Sequence, residues 1–591
     1  MSAIALSCHD IVEQIIRLLV FTEKDENDNV VIRKQDVLSC ALACRSFLGP
    51  ALSVLWYSLS SLVPLLKLLP NFKAADGYYS LTGKIEEKDW TNFDAHAKLV
   101  REFTYTDIDS PDHTVLPSVY LRLAQFRPKP LPHLLRFTCS CSTAAISETL
   151  LFLSPILERV EFKDVNTLEK RTNVEMFLSF LVHESISLQS LCVSGTIPKN
   201  LLSIICHFSQ LRSLELLGKG GEGPNSDNDM DEEDLIQIGL LLPHLNKLSL
   251  EANLSSSTDP EKKDFEMLRP FSNLHELNLH GSASSITRAL QIISPDTLHK
   301  LSFHIPESPE SSSPSDSQPQ IQHILSQVTS RWSQTLSSLK IHLTDGTDPY
   351  SQDGWGSDDE SNDNDTSTPL SLSQLLHPMY LSSWPFLSSL SVTRALFNLT
   401  CSNSEITSLV TTWGSSLKHL ELSFVDTNNN NNNSRYMTTT NKHSQLPTLS
   451  SLYTIAQHCP NLVSLQITLN LRDLPKDLLP NPLDPLNPLN LLIPHTPSQS
   501  SSSFIPHPSY HHHHRHHHHL QHLFINTSHA VQDTVLFIHH LDTLFPHLQS
   551  LIGRKDAQSD WTEIQRILKL CQRVRAFERC RLKKDVDMTF G

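Results

Sequence analysis

The apolar residues of this chain recur in a fixed phrase, apolar-x-x-apolar-x-apolar. Leu245-x-x-Leu248-x-Leu250 is one instance. The phrase starts at Val100, Leu134, Leu157, Leu188, Leu211, Leu245, Leu274, Leu298, Leu336, Leu387, Leu417, Leu462 and Leu520, and a truncated form, Leu548-x-x-Leu551, follows. Its positions are numbered here as slots 1 to 6, so slots 1, 4 and 6 are apolar. Slots 4 and 6 stand two apart and share one face of an extended strand. That face has to be buried, and stacking the strands in parallel buries it against the helix or turn between them. Stretches that lead into the phrase, such as Ile204-Ile205-Cys206-x-Phe208 and Leu235-Ile236-x-Ile238, carry helical spacing. The pattern predicts an α/β solenoid of parallel strands with helices on its convex side.

The first 60 residues follow a different rule. Ile11, Val12, Ile15, Ile16, Leu18 and Leu19 have helical spacing. A second helix is predicted from Val37, Leu38, Ala41, Leu42, Cys44 and Phe47. Pro50 suits the first turn of a third, Ala51 to Tyr57, which carries Leu52, Leu55 and Trp56. Three short helices make a very small core and call for a partner surface. The expected organisation is a helical domain over 1–60, a helical linker over 61–98, a solenoid over 99–555 and a helical cap over 556–591. The cap centres on Trp561, Ile564, Ile567 and Leu568.

Successive phrases start 23 to 58 residues apart. The shorter spacings suit a repeat of ~20–29 residues. The longer ones hold low-complexity inserts near 218–233, 306–320, 345–369, 427–445 and 475–519, which read as disordered loops.

Composition removes several function classes. Glycine is scarce, 16 of 591 residues, against an ordinary ~7%. The net charge of −16, from 47 basic and 63 acidic residues, argues against gripping nucleic-acid phosphates. The 11 cysteines contain no Cys-x-x-Cys pair, the nearest being Cys139-x-Cys141. That usage suits reduced thiols in the cytoplasm or nucleus. No apolar run approaches the ~18 residues of a membrane span, so no membrane association is expected.

The candidate chemical motifs are weak. Gly218-Lys219-Gly220-Gly221-Glu222-Gly223 lacks the Gly-Lys-Ser/Thr ending of a phosphate loop and runs into Asp227 to Glu233, so it reads as a linker. His511 to His519, broken only by Arg515, has affinity for metals but nothing to fix a geometry. His183-Glu184 lacks a second histidine four residues on, and no Gly-x-Ser-x-Gly elbow occurs. Neither catalysis, a cofactor nor a metal is therefore expected. Arg573, Arg575, Arg579, Arg581, Lys583 and Lys584 read as the solvated face of the terminal helix.

Val37-Leu38-Ser39-Cys40-Ala41-Leu42-Ala43-Cys44-Arg45-Ser46-Phe47, then Ala51-Leu52-Ser53-Val54-Leu55-Trp56, resembles the centre of an F-box. Trp90-x-x-Phe93 before Val100-Arg101 is similar to the segment that follows it in fungal F-box proteins with irregular leucine-rich repeats. Ser7-Cys8 stand where an F-box usually opens with Leu-Pro. The resemblance implies a substrate-recognition subunit of an SCF-type E3 ubiquitin ligase. Its helices would bind a Skp adaptor, and through it cullin and RING subunits. Carried over by position, the adaptor face comprises Ile11, Ile15, Leu38, Leu42, Arg45, Phe47, Leu55 and Trp56. A protein substrate would meet the x positions of the strands on the concave face: Arg212, Glu215, Lys247, His275, Glu276, Lys300, Lys340, Lys418 and Glu421. Two other readings stay open: a non-catalytic repeat scaffold with a degenerate F-box, and a hydrolase or transferase hidden in the irregular repeats, which would need a polar pocket with perturbed titratable groups.

Overall fold

A computed structural model describes residues 8–20, 34–106, 114–140, 146–185, 187–197, 199–218, 230–251, 269–294, 297–307, 317–345, 370–376, 383–394, 399–424, 446–472, 474, 518–527, 530–554 and 561–589. The chain divides into two units. One is Met1–His280 with Arg288–Thr297, and the other is Gly281–Thr287 with Leu298–Gly591.

The first unit opens with helices α1 (His9–Val20), α2 (Lys34–Ala43) and α3 (Arg45–Leu55). Val12, Ile16, Val37, Ala41, Ala51 and Val54 form their shared core. The third helix begins at Arg45, earlier than the sequence pattern predicts. Cys44 is extended (φ −162°, ψ 162°), which ends α2 and starts α3. Phe47 therefore belongs to α3, and Pro50 lies inside that helix, where its ring is buried and its missing N–H costs one intrahelical bond.

Strand β1 (Ser58–Leu59) follows at once. Residues 61–98, expected as a helical linker, contain the helices Val63–Leu66 and Trp90–Ala97 but also a β-hairpin, β2 (Phe72–Ala75) and β3 (Tyr78–Leu81). Asp76 and Gly77 both have positive φ (53° and 80°). Asp-Gly tolerates that conformation in a tight hairpin turn. Next come β4 (Glu102–Thr106) and β5 (Thr114–Val115), the latter pairing with β3. The unit continues with β6 (Arg136–Ser140), β7 (Arg159–Val165), β8 (Ser190–Gly195), β9 (Ser213–Leu217), β10 (Lys247–Glu251) and β11 (Glu276–His280).

Strands β1, β4, β6, β7, β8, β9, β10 and β11 lie side by side in that order, and every pair is parallel. From β4 onward each strand starts two residues after slot 1 of a phrase. Slot 4 residues are register partners, Phe103, Phe137, Val160, Leu191, Leu214, Leu248 and Leu277, and all are buried. A shared hydrogen bond opens each strand. The slot 2 carbonyl of one repeat accepts from the N–H groups of slots 2 and 3 of the next. Arg212 and Ser213 donate to Gln189 O at 2.8 and 2.9 Å, and Asn246 and Lys247 to Arg212 O at 2.8 and 3.0 Å.

The same fork joins Arg101 and Glu102 to Tyr57 O. Trp56-x-x-Leu59-x-Ser61 is therefore a further repeat ahead of the first one the sequence pattern marks. Its slot 6 is a buried serine whose Oγ accepts from Val63 N at 3.1 Å.

The second unit has the same construction. Its strands are β12 (Lys300–Glu307), β13 (Ser338–Asp345), β14 (Leu370–Ser371), β15 (Ser389–Arg394), β16 (Leu399–Thr400), β17 (His419–Ser423), β18 (Ser464–Thr468), β19 (His522–Asn526) and β20 (Ser550–Gly553). Strands β12, β13, β15, β17, β18, β19 and β20 run parallel in that order, while β14 and β16 pair separately. Slot 4 is leucine throughout, from Leu301 and Leu339 to Leu523 and Leu551.

Gly553 occupies slot 6 of the last repeat, opposite Ile525. A Cβ there would run into the Trp561 indole. The tryptophan of the C-terminal helix (Trp561–Thr589) thus fills the space that a slot 6 side chain takes elsewhere. This accounts for the truncated final phrase.

Most of the expected inserts lie outside the described residues, but their edges are ordered. Asp231 caps the helix Glu232–Leu241 by accepting from Asp234 N at 2.9 Å, so the acidic run ends in a helix start. Ser317–Trp332 is a helix, and His518 is buried. Both units are solenoid-like repeats of parallel strands flanked by helices, and the first carries the N-terminal helical segment.

Candidate functional site

Each N-terminal helix has an apolar arc wider than its core can cover. On α1, Val12 and Ile16 are buried, while Ile11, Ile15 and Leu18 form a second stripe at i, i+4 and i+7 that stays exposed. On α2, Val37 and Ala41 are buried, while Leu38 and Leu42 form an exposed stripe, Leu42 at 78%. Leu48 on α3 is exposed as well. Arg17 fixes α1 against the start of the ladder. Its guanidinium bonds Glu13 at 2.7 Å and lies 4.7 Å from the Tyr57 ring centroid.

The residues expected on the adaptor face separate into three groups. Ile11, Ile15, Leu38, Leu42 and Arg45 are exposed. Phe47 and Leu55 are half-buried against the helical core. Trp56 holds slot 1 of the first repeat and packs on His96, ring centroids 4.8 Å apart. Leu18 and Leu48 were not in the expected set. Leu18 completes the Ile11–Ile15 spacing, which is the signal that finds it.

Beside these stripes sits Cys44, fully exposed. The Ser46 hydroxyl, 3.1 Å from its Sγ, holds the thiol below its ordinary value against the opposing effect of partial desolvation, with help from the backbone N–H groups of Phe47 and Ser46.

The second candidate surface is the open face of the strands, opposite the buried slots 4 and 6. Slots 3 and 5 point there. In the first unit these include Lys247, Glu276 and Glu215, which form a chain of charges. Lys247 Nζ lies 2.6 Å from Glu215 and 3.8 Å from Glu276. Burial pulls the Lys247 ammonium down, but the hydrogen bond and charge of Glu215, with Glu276, outweigh it and leave the group above its ordinary value. Cys192, the slot 5 neighbour of Glu215, is pushed up to about 12 by burial and by the charges of Glu215 and Glu161.

The second unit holds Lys300, Lys340 and Glu421 on its open face, where Glu421 accepts from Ser391 Oγ at 2.7 Å. One step along, the His304 and His342 rings stand 4.6 Å apart. Burial lowers the His342 pKa, and Glu421 opposes the shift. Arg212, His275 and Lys418 are slot 2 residues. They are exposed but precede their strands, so the strand alternation does not place them on the open face. The nine expected contact residues thus divide between the two units.

Among the described residues, no group of three or more His, Cys, Asp or Glu side chains could hold a metal ion. No helix among them is long and apolar enough to cross a membrane. The histidine tract through His517 lies outside the described residues. No protein-family model matches the chain, and no curated protein matches it.

Proposed function

We propose that this protein is the substrate receptor of an SCF-type ubiquitin ligase. Helices α1 to α3 dock a Skp adaptor, which links the chain to cullin and RING subunits, and the open face of the leucine-rich-repeat ladder holds a protein substrate. Catalysis belongs to the other subunits. This chain contributes proximity, which raises the local concentration of target lysines. The supporting observation is the exposed apolar stripe on each of α1 and α2, in a helical unit that resembles an F-box in sequence. An amphipathic helix face of this kind suits a hydrophobic groove.

Co-expression of the full-length chain with a fungal Skp adaptor tests the reading. Wild type is expected to retain the adaptor, and Leu38→Lys/Leu42→Lys to lose it while staying folded. Trp56→Ala is a poor control, because Trp56 packs in the first repeat. A folded wild type that retains no adaptor would sink the proposal. The chain would then be a repeat scaffold whose adaptor contact is lost where Ser7-Cys8 replace the usual Leu-Pro. For the substrate face, Lys340→Glu with Glu421→Lys is expected to release bound protein. Unchanged binding would remove that face from the proposal.

A further inference from the structure

The C-terminal helix has a face that its capping role leaves unused. Trp561, Ile564 and Leu568 are buried against the end of the second unit, and Arg575 pairs with Asp542 on the same side. On the other side Leu570, Val574 and Phe577 are 60%, 56% and 69% exposed. With the half-buried Ile567 they are spaced by three, four and three residues. That is the a/d seam of a heptad pattern. Ile567 and Val574 hold the a positions, and Leu570 and Phe577 hold the d positions. Within a parallel pairing, a β-branched residue at a with leucine at d, as in Ile567 with Leu570, favours two strands.

The flanking charges point the same way. In a parallel pair of identical helices, Arg573 at g faces Glu578 at e of the second copy, and the two are opposite in sign. Arg581 takes the next a position, where two guanidinium groups would meet, so the seam ends there. Of the docked residues, Trp561, Leu568, Gln572 and Arg575 fall at b and f positions, on the outside of such a pair, and Ile564 falls at an e position one turn before the seam begins. A helix held by its own repeat body can therefore still offer its seam. The border of the stripe carries both signs, Arg566 and Arg573 with Glu563 and Glu578, which suits a second copy of the same helix better than a uniformly anionic membrane.

We propose that two copies of this chain associate by parallel pairing of their C-terminal helices along Ile567 to Phe577. The seam is shorter than the ~3–4 heptads that sustain a free-standing coiled coil. The dimer is therefore expected to dissociate on dilution through the micromolar range.

Sedimentation equilibrium of the full-length chain reads this directly. Wild type is expected to show a monomer–dimer equilibrium, and Val574→Asp and Phe577→Asp to be monomeric with unchanged thermal unfolding. Arg573→Glu and Glu578→Arg should each weaken the dimer several-fold, and the double variant should restore it. That rescue is specific to the parallel pairing, and it decides the matter even if an aspartate in the seam disturbs the helix. A wild type that is monomeric at every concentration would overturn the proposal. So would a dimer indifferent to Phe577→Asp, or a monomer whose helix binds phosphatidylserine vesicles.

Discussion

Leu248 and Leu277 are register partners on neighbouring strands of the ladder, and both are fully buried. Leu42 on α2 is the same residue in an equally regular element, yet 78% of it faces solvent. The difference lies in what each architecture can cover. A ladder adds a neighbour with every repeat, so each apolar side chain inside it is capped on both sides. Three short helices have no further neighbour, and part of their apolar arc stays open. An apolar residue at a predictable position thus means a buried core in one region and an uncovered face in the other.

The ladder side of this contrast breaks with the largest effect. Leu248→Ala removes a wholly buried side chain and leaves a cavity that the two flanking strands, β9 and β11, hold open. The expected loss is about 2–5 kcal/mol, read by urea denaturation. A loss below 1 kcal/mol would mean that the repeats relax around vacancies, and the contrast with the helices would fail.

The next effect comes from the edge of the ladder. Burial, with a contribution from His519, holds His518 down at about 4, against the opposing backbone bond to Cys459. The unfolded chain titrates near the ordinary 6.5. Between those values the unfolded chain binds a proton that the folded chain refuses. Stability therefore falls as pH drops from 6.5 towards 4 and levels off below, by up to about 3 kcal/mol. His518→Phe should flatten that part of the pH profile. A profile unchanged by the substitution would show that the imidazole is open to water.

The parallel repeat was legible in the sequence because its slots need only size and apolarity. Leu, Ile, Val and Phe all satisfy them, and the two-residue spacing survives each exchange. The two ends were not legible, because other residues fill their slots. Ser61 replaces an apolar slot 6 in the first repeat, where its hydroxyl serves Val63 N. Gly553 yields slot 6 of the last repeat to Trp561, a residue from another element. The slot 1 role of Trp56 was hidden for a related reason. An aromatic at the end of a helical pattern reads as part of the helix face, while its partner His96 is distant in sequence. The Asp76-Gly77 turn was a local signal that helical expectations for 61–98 overrode. On the N-terminal helices, the i, i+4 spacing marked the exposed Ile11, Ile15, Leu38 and Leu42. Spacing alone could not say which of two adjacent apolar stripes the core would take.

A smaller effect is expected on the open face. Lys247→Met deletes the ion pairs to Glu215 and Glu276, whose side chains are all partly exposed. The expected cost is at most about 1 kcal/mol, shrinking as salt is added. A cost several times larger and insensitive to salt would make this charge chain part of the core.

The smallest effect should come from the residue that looks most out of place. Leu42→Lys removes a leucine from the last turn of α2, where a cation suits the helix dipole and lysine keeps a good helix propensity. Little buried area is lost, so stability should change by no more than about 0.5 kcal/mol. Val37 and Ala41 on the buried stripe of the same helix have no such latitude, and Ala41→Lys should unfold the helical cluster. The two substitutions, at adjacent residues on the exposed and the buried stripe, separate the two faces of α2. If Leu42→Lys destabilises the free chain as much as Ala41→Lys does, the exposed stripe is packed in solution, and its apolar side chains serve the fold rather than a partner.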